Sequence, residues 1–304
     1  MTVFIPLMAA QGYSRHTLEF IVQFSPPDSY REFVSIENGS REGAENEVAD
    51  LPERLNARYT HRERGNKSYA LNEALETIKD GLVVFFDDDV RVDPGTLVAY
   101  SEAASDHDGG VFFGGPVEVD REEDPPEWLN PFFPSSALGF DLVSSRPSQN
   151  KYIGFNWAAY TKDIKEVGGF DPRLGPGALS GTAVGDESDL QQRMMKNGVH
   201  PIAVSQAVVT HHVPAEHTTL RWLLQRKYYV GIFAGITTSR QDRDWISLIK
   251  GMIQSVALLL KGSILADKEK MIIALLSIYQ GSGKAKGYWS TNDKAGHQAA
   301  FSCP

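Results

Sequence analysis

Three consecutive carboxylates, Asp87-Asp88-Asp89, directly follow a run of five apolar residues that begins at Leu82. An apolar run of this length is short for a helix and predicts a strand buried on both faces, as in a parallel α/β sheet. Open α/β sheets bind ligands in the crevice beyond the carboxyl ends of such strands. Because three adjacent carboxylates repel one another when desolvated, and hard cations prefer oxygen ligands, the sequence predicts a metal site for a phosphorylated ligand.

A second acidic element lies further along the chain, in the run Gly185-Asp186-Glu187-Ser188-Asp189-Leu190. It follows a stretch, residues 175–185, whose four glycines predict a loop. Residues 186–197 have the pattern of a helix with acids in its first turn. Acids at this position stabilise a helix by about 0.3–1 kcal/mol each, so helix stabilisation is one interpretation of the element.

Strand-like and helix-like segments alternate through the first half of the chain. The predicted strands are residues 3–7, 33–36 and 57–60, and the predicted helices are residues 16–24 and 67–79. Repeated strand–helix units favour a parallel α/β sheet with right-handed connections. The first strand is not followed by a Gly-x-Gly-x-x-Gly fingerprint, so the sequence does not support a standard dinucleotide-binding fold.

The middle of the chain has a different character. Residues 111–119 predict a strand with a bend, and residues 152–160 predict another strand. Between them, residues 124–134 are rich in proline and aromatic side chains and predict a loop that packs through its rings.

From about residue 216 onwards the pattern becomes helical. We therefore predict a first domain at residues 1–215 and a helical region at residues 216–304, with a poorly ordered, glycine-rich tail after Gly281. The apolar helices are interrupted by lysines, which fits either the core of a small subdomain or helices lying on a membrane surface or a partner. Both interpretations stay open, and for the second we predict peripheral rather than integral membrane association, because lysines inside the longest apolar run disfavour a spanning helix.

Composition narrows the class of protein. The 304 residues are 41% apolar and 23% charged, as in ordinary globular proteins, and the net charge of −9 argues against a nucleic-acid partner. Cys303 is the only cysteine, so no intrachain disulfide is expected, which suits a reducing, cytoplasmic compartment. We expect neither a signal peptide nor a transmembrane helix.

Taken in order, these elements resemble the inverting GT-A-fold glycosyltransferases of family 2, over roughly residues 2–240. The resemblance rests on five landmarks, which are Ser35-Ile36-Glu37-Asn38-Gly39-Ser40, Phe85-Phe86-Asp87-Asp88-Asp89, Gly168-Gly169-Phe170-Asp171, Gly185-Asp186-Glu187-Ser188-Asp189-Leu190 with Arg193, and Val209-Thr210-His211-His212-Val213-Pro214. It implies an α/β GT-A fold, with a mixed, mostly parallel sheet between helices and a C-terminal helical extension.

The resemblance implies a metal-dependent transfer from a nucleotide-diphosphate sugar. Asp87 and Asp89 match the family's Asp-x-Asp element and would bind Mn²⁺ or Mg²⁺, with Asp89 the direct ligand, and His211 would supply a further ligand. Asp87 and Asp88 would also contact the sugar, the ribose or metal-bound water. The cation would stabilise the charge that develops on the leaving diphosphate.

Other positions would contact the nucleotide or the donor sugar if the resemblance holds. Glu37 stands where the family usually has Asp beside the nucleobase or ribose. The remaining predicted contacts are Pro6, Asn38, Lys67, Asn72 and Trp157. By position in the family pattern Glu187 would be the general base that deprotonates the acceptor hydroxyl, and Asp186 is its rival for that role.

UDP-sugar is the expected donor, and the acceptor would be a saccharide or a lipid-linked saccharide, in cytoplasmic polysaccharide biosynthesis at the inner face of the membrane. Two alternatives remain at this stage. A haloacid-dehalogenase-type phosphatase shares an Asp-x-Asp element after apolar residues, although Arg91 occupies a position where that class has Thr or Val. A non-catalytic nucleotide-sugar-binding module would keep the same acids without turnover.

Overall fold

The computed structural model describes residues 1–7, 14–24, 26–142 and 151–290 of the chain. In this part of the chain the strands are Thr2–Leu7 (β1), Glu32–Asn38 (β2), Ala57–Arg62 (β3), Leu82–Phe85 (β4), Val90–Val92 (β5), Val111–Gly114 (β6), Val117–Arg121 (β7), Trp157–Tyr160 (β8), His200–Ala203 (β9) and Val209–Val213 (β10). The α-helices are Ser14–Ile21 (α1), Ala44–Ala49 (α2), Lys67–Thr77 (α3), Thr96–Ala103 (α4), Ser135–Leu138 (α5), Thr161–Glu166 (α6), Asp186–Lys196 (α7), Leu220–Thr237 (α8), Trp245–Ile264 (α9) and Lys268–Ser290 (α10).

A mixed, mostly parallel sheet of seven strands has the order β3-β2-β1-β4-β8-β6-β9. Strand β1 is paired in parallel with both β2 and β4, and β2 is paired in parallel with β3. Strand β8 runs antiparallel to β4 and to β6. The carboxyl ends of β1, β2 and β4 therefore meet at one edge of the sheet, and the beginning of β8 lies at the same edge. The predicted α/β class is confirmed.

The apolar run before the three carboxylates is buried on both faces, as its pattern predicts. Val84 and Phe86 belong to one apolar cluster, and Val83 and Phe85 belong to a second cluster on the opposite face of the sheet. All four are at most 3% exposed. Successive side chains of a strand point to opposite faces of the sheet, so β4 packs into an apolar cluster on each face. This packing fixes the start of the carboxylate turn that follows β4.

A smaller, three-stranded sheet has the order β5-β10-β7. Its strand β10 contains His211, one of the predicted metal ligands. Strand β10 runs antiparallel to β5 and parallel to β7. Its register places His211 opposite Val90, the first residue after the carboxylates. This pairing fixes the distance between the histidine and the carboxylate turn.

The chain divides into two units. The first comprises residues 1–124, 134–172 and 186–215, with both sheets and α1–α7. The second comprises residues 125–133, 173–185 and 216–304, with α8–α10. The last change from one unit to the other falls between Ala215 and Glu216.

Within the second unit, α10 is longer than its sequence predicts. We expected a poorly ordered tail after Gly281, but the helix continues to Ser290. The reason is close packing against α8. A Cβ at Gly231 would lie 2.0 Å from a carbonyl oxygen of α10, and a Cβ at Gly283 would lie 2.0 Å from a carbonyl oxygen of α8. These glycines allow the backbones of α8 and α10 to come into contact, and they do not mark a disordered tail.

The single bent strand predicted at residues 111–119 is instead two strands, β6 and β7, in different sheets. The change of sheet occurs at Gly114-Gly115-Pro116. A Cβ at Gly115 would lie 1.8 Å from the carbonyl oxygen of Ala207, so only glycine fits this close approach. Proline also lacks the N–H group that a continuing ladder would need.

The strand predicted at residues 152–160 begins only at Trp157, because a buried polar contact ends the preceding turn. Asn156 is fully buried, and its amide nitrogen donates to the carbonyl oxygens of Pro116 at 2.9 Å and Ala207 at 2.8 Å. Its side-chain oxygen accepts a hydrogen bond of 2.7 Å from the hydroxyl of Tyr100. This one side chain ties together the segments that enter β8, β7 and β10.

We predict that Asn156→Ala lowers the free energy of unfolding by about 2–4 kcal/mol, because it leaves buried partners unsatisfied. Urea denaturation followed by circular dichroism measures the change. Asn197→Ala, at an exposed position after α7, is the control and should change stability by less than about 0.5 kcal/mol. Equal stability of the two variants would contradict this account of Asn156.

Candidate active site

The carboxylate turn follows β4 and leads directly into β5. The backbone N–H of Phe86 donates to the carbonyl oxygen of Phe4 at 3.1 Å, which extends the pairing with β1 up to the first carboxylate. The hydroxyl of Thr17, on α1, lies 2.7 Å from the carbonyl oxygen of Asp88 and 2.9 Å from that of Val90. The turn is therefore held from the sheet on one side and from a helix on the other.

A lysine joins the carboxylate turn to the second acidic element. The Nζ atom of Lys67 lies 2.7 Å from Oδ1 of Asp87 and 2.7 Å from Oε1 of Glu187. Lys67 is the first residue of α3, whose N-cap Asn66 accepts a hydrogen bond of 2.9 Å from the N–H of Tyr69. The cap fixes the start of the helix and with it the position of the ammonium group.

Burial and the neighbouring charges shift the pKa values of Lys67, Asp87 and Glu187 in opposite directions. Burial opposes the charge on Lys67, but the two carboxylates outweigh it and hold its pKa well above the ordinary value. Burial alone would raise the pKa of Glu187, but the Lys67 ammonium lowers it to about 2. Burial raises the pKa of Asp87 to about 6 against the same ammonium. Glu187 is therefore the member of this group that stays ionised most firmly.

Asp186, the neighbour of Glu187, behaves differently. It is 1% exposed, and its Oδ2 atom has no hydrogen-bond partner among the described residues. Burial and the adjacent Glu187 charge raise its pKa well above the ordinary value for an aspartate. The start of α7 thus carries one ionised carboxylate beside one that favours the protonated form.

The approach of α7 to the sheet edge depends on a glycine. A Cβ at Gly154 would lie 2.4 Å from the Cδ atom of Glu187. Gly154 precedes β8, whose first residue Trp157 pairs with Phe85 at the end of β4. The absence of a side chain at Gly154 therefore lets Glu187 reach Lys67.

Asp89 and His211 form the second part of the site. The Nδ1 atom of His211 donates to the carbonyl oxygen of Ser136 at 2.7 Å, and its Nε2 atom lies 3.2 Å from Oδ2 of Asp89. The ring stacks on Phe155 with centroids 4.4 Å apart. Burial opposes protonation, but Asp89 raises the pKa of His211, and His211 in turn lowers the pKa of Asp89 against the effect of burial.

This pair fits a divalent cation. Oδ1 of Asp89 is buried without a hydrogen-bond partner in the described part of the chain, so it has a free lone pair. The bond to Ser136 directs the proton of a neutral His211 ring to Nδ1 and leaves Nε2 available as a ligand, the usual outer arrangement of metal-binding histidines. The carboxylate suits Mn²⁺ or Mg²⁺, and the imidazole nitrogen favours a transition-metal ion such as Mn²⁺ over the harder Mg²⁺.

The site is not a complete protein cage. Among the described residues no group of three or more His, Cys, Asp and Glu side chains is arranged to hold a metal ion. Asp87, the third predicted ligand, is paired with Lys67. A cation held by Asp89 and His211 would therefore take its remaining ligands from water and from phosphate oxygens of a bound ligand, as Mg²⁺ commonly does.

Three of the predicted donor contacts lie at the same edge of the sheet. Pro6, near the end of β1, lines a narrow cleft together with Lys67 and Glu187. Glu37 and Asn38 end β2. Glu37 is 1% exposed and accepts hydrogen bonds from the N–H of Glu42 and from the hydroxyl of Tyr59, so its carboxylate also holds the loop after β2.

Two other predicted contacts have clear packing roles. The amide of Asn72 is bonded at both ends to Phe170, donating to its carbonyl oxygen at 2.8 Å and accepting from its N–H at 2.8 Å. Trp157 is fully buried and stacks on Phe85 with centroids 4.6 Å apart. A contact between either side chain and the donor stays a prediction.

The sequence did not reveal the bridge at Lys67 or the role of Gly154. Lys67 was expected only to face the nucleotide, because no local pattern brings it to Glu187, 120 residues away. The one available signal was Asn66, whose type is favoured at the residue before a helix.

The sequence of the chain is similar to a known family of enzymes. The family model described as glycosyl transferase family 2 matches residues 2–167, which is more than half of the chain. No curated protein matches the chain.

Several solved structures share the fold. The mannosyltransferase PcManGT from Pyrobaculum calidifontis, in complex with GDP-Man and Mn²⁺, is similar with a TM-score of 0.60 and 20% identity, covering 95% of this chain and 87% of that one. TarS of S. aureus, in complex with UDP-GlcNAc, has a TM-score of 0.52 and 13% identity, covering 99% and 93%. GalNAc-T7 with UDP, GalNAc and Mn²⁺ has a TM-score of 0.51 and 14% identity, covering 100% and 57%.

The solved structures show which fold the chain has, and the family match shows which class of enzyme it is. The mixed sheet, the acids at its edge and the family match agree with one another. They overturn the phosphatase alternative, which belongs to a different family. The chain belongs to glycosyl transferase family 2 and is a glycosyltransferase with the GT-A fold.

Proposed function

We propose that the enzyme transfers a sugar from a nucleotide-diphosphate sugar, with UDP-sugar the expected donor, to a hydroxyl of a saccharide or lipid-linked saccharide with inversion. The observation that carries this proposal is the arrangement at one edge of the sheet. The Asp89–His211 pair suits a cation shared with a diphosphate, and the ionised Glu187 lies on the other side of Asp87 and Lys67. Both PcManGT and GalNAc-T7 are described with Mn²⁺, which supports a metal-dependent reaction here.

The residues around the metal position have separate tasks. Asp89 and His211 would hold Mn²⁺ or Mg²⁺, and the bound cation supplies Lewis-acid stabilisation of the leaving diphosphate. Ser136 fixes the proton of the imidazole through its carbonyl oxygen, and Phe155 fixes the plane of the ring. Thr17 holds the turn that carries Asp89.

The proposed base is Glu187. In an inverting transfer the acceptor oxygen bonds to the anomeric carbon as the bond from that carbon to the phosphate oxygen breaks, and the hydroxyl proton passes to the base. Glu187 is ionised and anchored by Lys67, so it can accept a proton from a fixed position. Asp186 remains the rival, because its raised pKa makes it a stronger base once ionised.

We expect nucleoside diphosphates to bind more tightly with Mn²⁺ or Mg²⁺ present. Thermal-shift titration of UDP, GDP and dTDP measures this, since a ligand at 100 times its dissociation constant stabilises a protein by about 2.7 kcal/mol. Asp89→Ala and His211→Ala should lose the metal-dependent part of the shift. His212→Ala is the matched control, because His212 pairs with Glu122 instead. Shifts that EDTA leaves unchanged would refute the metal site.

We expect Glu187→Gln to reduce the transfer rate by about 10²–10⁴-fold, because the amide keeps the size of the side chain but accepts no proton. Donor affinity should change little. Asp186→Asn should cost less. The readouts are the rate of transfer for both variants and the anomeric configuration of the product by NMR. A collapse in Asp186→Asn alone would move the base to that residue, and a retained configuration would exclude inversion.

We also expect Lys67 and Glu187 to be coupled in stability. In a double-mutant cycle of Lys67→Met and Glu187→Gln, urea denaturation should give an interaction energy of about 1–3 kcal/mol. The physical reason is that Lys67→Met leaves the largely buried Glu187 without its cation, whereas Glu187→Gln leaves Lys67 with Asp87 as its one remaining ion-pair partner in the described part of the chain. The exposed pair Lys162 and Asp108, 3.3 Å apart, is the control cycle and should give less than about 1 kcal/mol. Equal coupling in both pairs would contradict the assigned bridge.

A further inference from the structure

The helix α9 presents a long apolar face to solvent. Fifteen large hydrophobic side chains are exposed in the described residues, and eight of them lie between Trp245 and Leu265. The exposed fraction is 63% at Ile253, 61% at Leu260 and 84% at Ile264. Such a concentration of exposed apolar surface marks an interaction site rather than scattered surface residues.

The exposed residues form one stripe along the helix. They recur every three or four residues, at Ile246, Ile249, Ile253, Val256, Leu260 and Ile264. The other side of α9 packs on α10, where a Cβ at Gly281 would lie 3.0 Å from the Cγ atom of Met252. The packing therefore fixes the stripe outward over a helix of 20 residues, about 30 Å long.

The charges beside the stripe are all positive. Lys250 and Lys261 are exposed and lie eleven residues apart, which is close to three helical turns, so both border the stripe on the same side. No acid occurs between Asp244 and Asp267. Residues 216–290 contain eleven Lys and Arg against five Asp and Glu, although the whole chain has a net charge of −9. Positive charge is thus concentrated where the apolar surface is exposed.

We propose that α9 is an interfacial helix that binds the surface of an anionic lipid bilayer. The stripe would enter the boundary between headgroups and acyl chains, and the two lysines would remain among the anionic headgroups. Trp245 begins the helix, is 37% exposed and packs edge-on against Tyr288, which suits the interfacial depth that tryptophan prefers. This binding is independent of sugar transfer and goes beyond the proposed function.

Two other uses of the face fit less well. By length and composition α9 is the one helix in the described residues that is long and apolar enough to cross a membrane, and 6% of its apolar window is buried. A span would place Lys250 and Lys261 inside the hydrocarbon region, where charged side chains are strongly disfavoured. A second copy docked through the same face would bring two lysine rows together with no acid on α9 to neutralise them.

The test is flotation of the full chain with vesicles of phosphatidylcholine, with or without phosphatidylglycerol, at low and high salt. We expect binding to the anionic vesicles that is lost at high salt. Lys250→Glu with Lys261→Glu should weaken it by about 30-fold, or about fivefold for each lysine. Ile253→Ser with Leu260→Ser should weaken it by at least about tenfold.

Matched controls carry equivalent changes elsewhere on the surface. Lys79→Glu with Lys196→Glu makes the same change in net charge, and Leu138→Ser with Leu179→Ser removes two exposed apolar side chains outside α9. Both controls should bind like the unchanged protein. The proposal is overturned if anionic vesicles do not bind the protein, or if the α9 variants and the controls bind alike. Resistance to carbonate extraction would replace it with a spanning helix, and a dimer that Ile253→Ser with Leu260→Ser dissociates, without vesicle binding, would replace it with self-association.

Discussion

The ammonium group of Lys67 is the contact on which the rest of the site depends. It lies between Asp87, at the end of β4, and Glu187, at the start of α7, and both bonds are 2.7 Å long. Two carboxylates so close together in a poorly hydrated position would repel each other without a cation between them. One side chain thus makes it possible for the sheet and two helix termini to converge at the same edge.

The three-stranded sheet positions the other half of the site, the Asp89–His211 pair. It does so through the register of its strands, whereas the first half is held by the ion pairs of Lys67. Pairing of β10 with β5 sets His211 beside the turn that follows β4. The two halves share that turn, since Asp87 faces Lys67 and Asp89 faces His211. Alternate residues of one short turn therefore make two different contacts, one with the lysine that holds the proposed base Glu187 and one with the histidine of the proposed cation site.

Local patterns were enough to predict β4, the acids after it and the helix that begins at Asp186, because each depends on residues adjacent in sequence. The same patterns failed where a distant backbone approaches closely. The sequence predicted a bent strand at Gly115 and a disordered tail at Gly283, yet both glycines are required by contacts with segments far along the chain. The bridge from Lys67 to Glu187 was missed for the same reason, since its geometry depends on the missing side chain of Gly154.

The glycine contact between α8 and α10 has a consequence for cooperativity. Carbonyl oxygens of each helix lie so near the glycines of the other that water cannot enter between the two backbones. Parting the helices would expose this seam along much of its length at once, so α8 and α10 are expected to open as a single foldon with slow amide exchange. The α9 helix, in which Gly262 is the one buried residue, can fray while that pair remains closed.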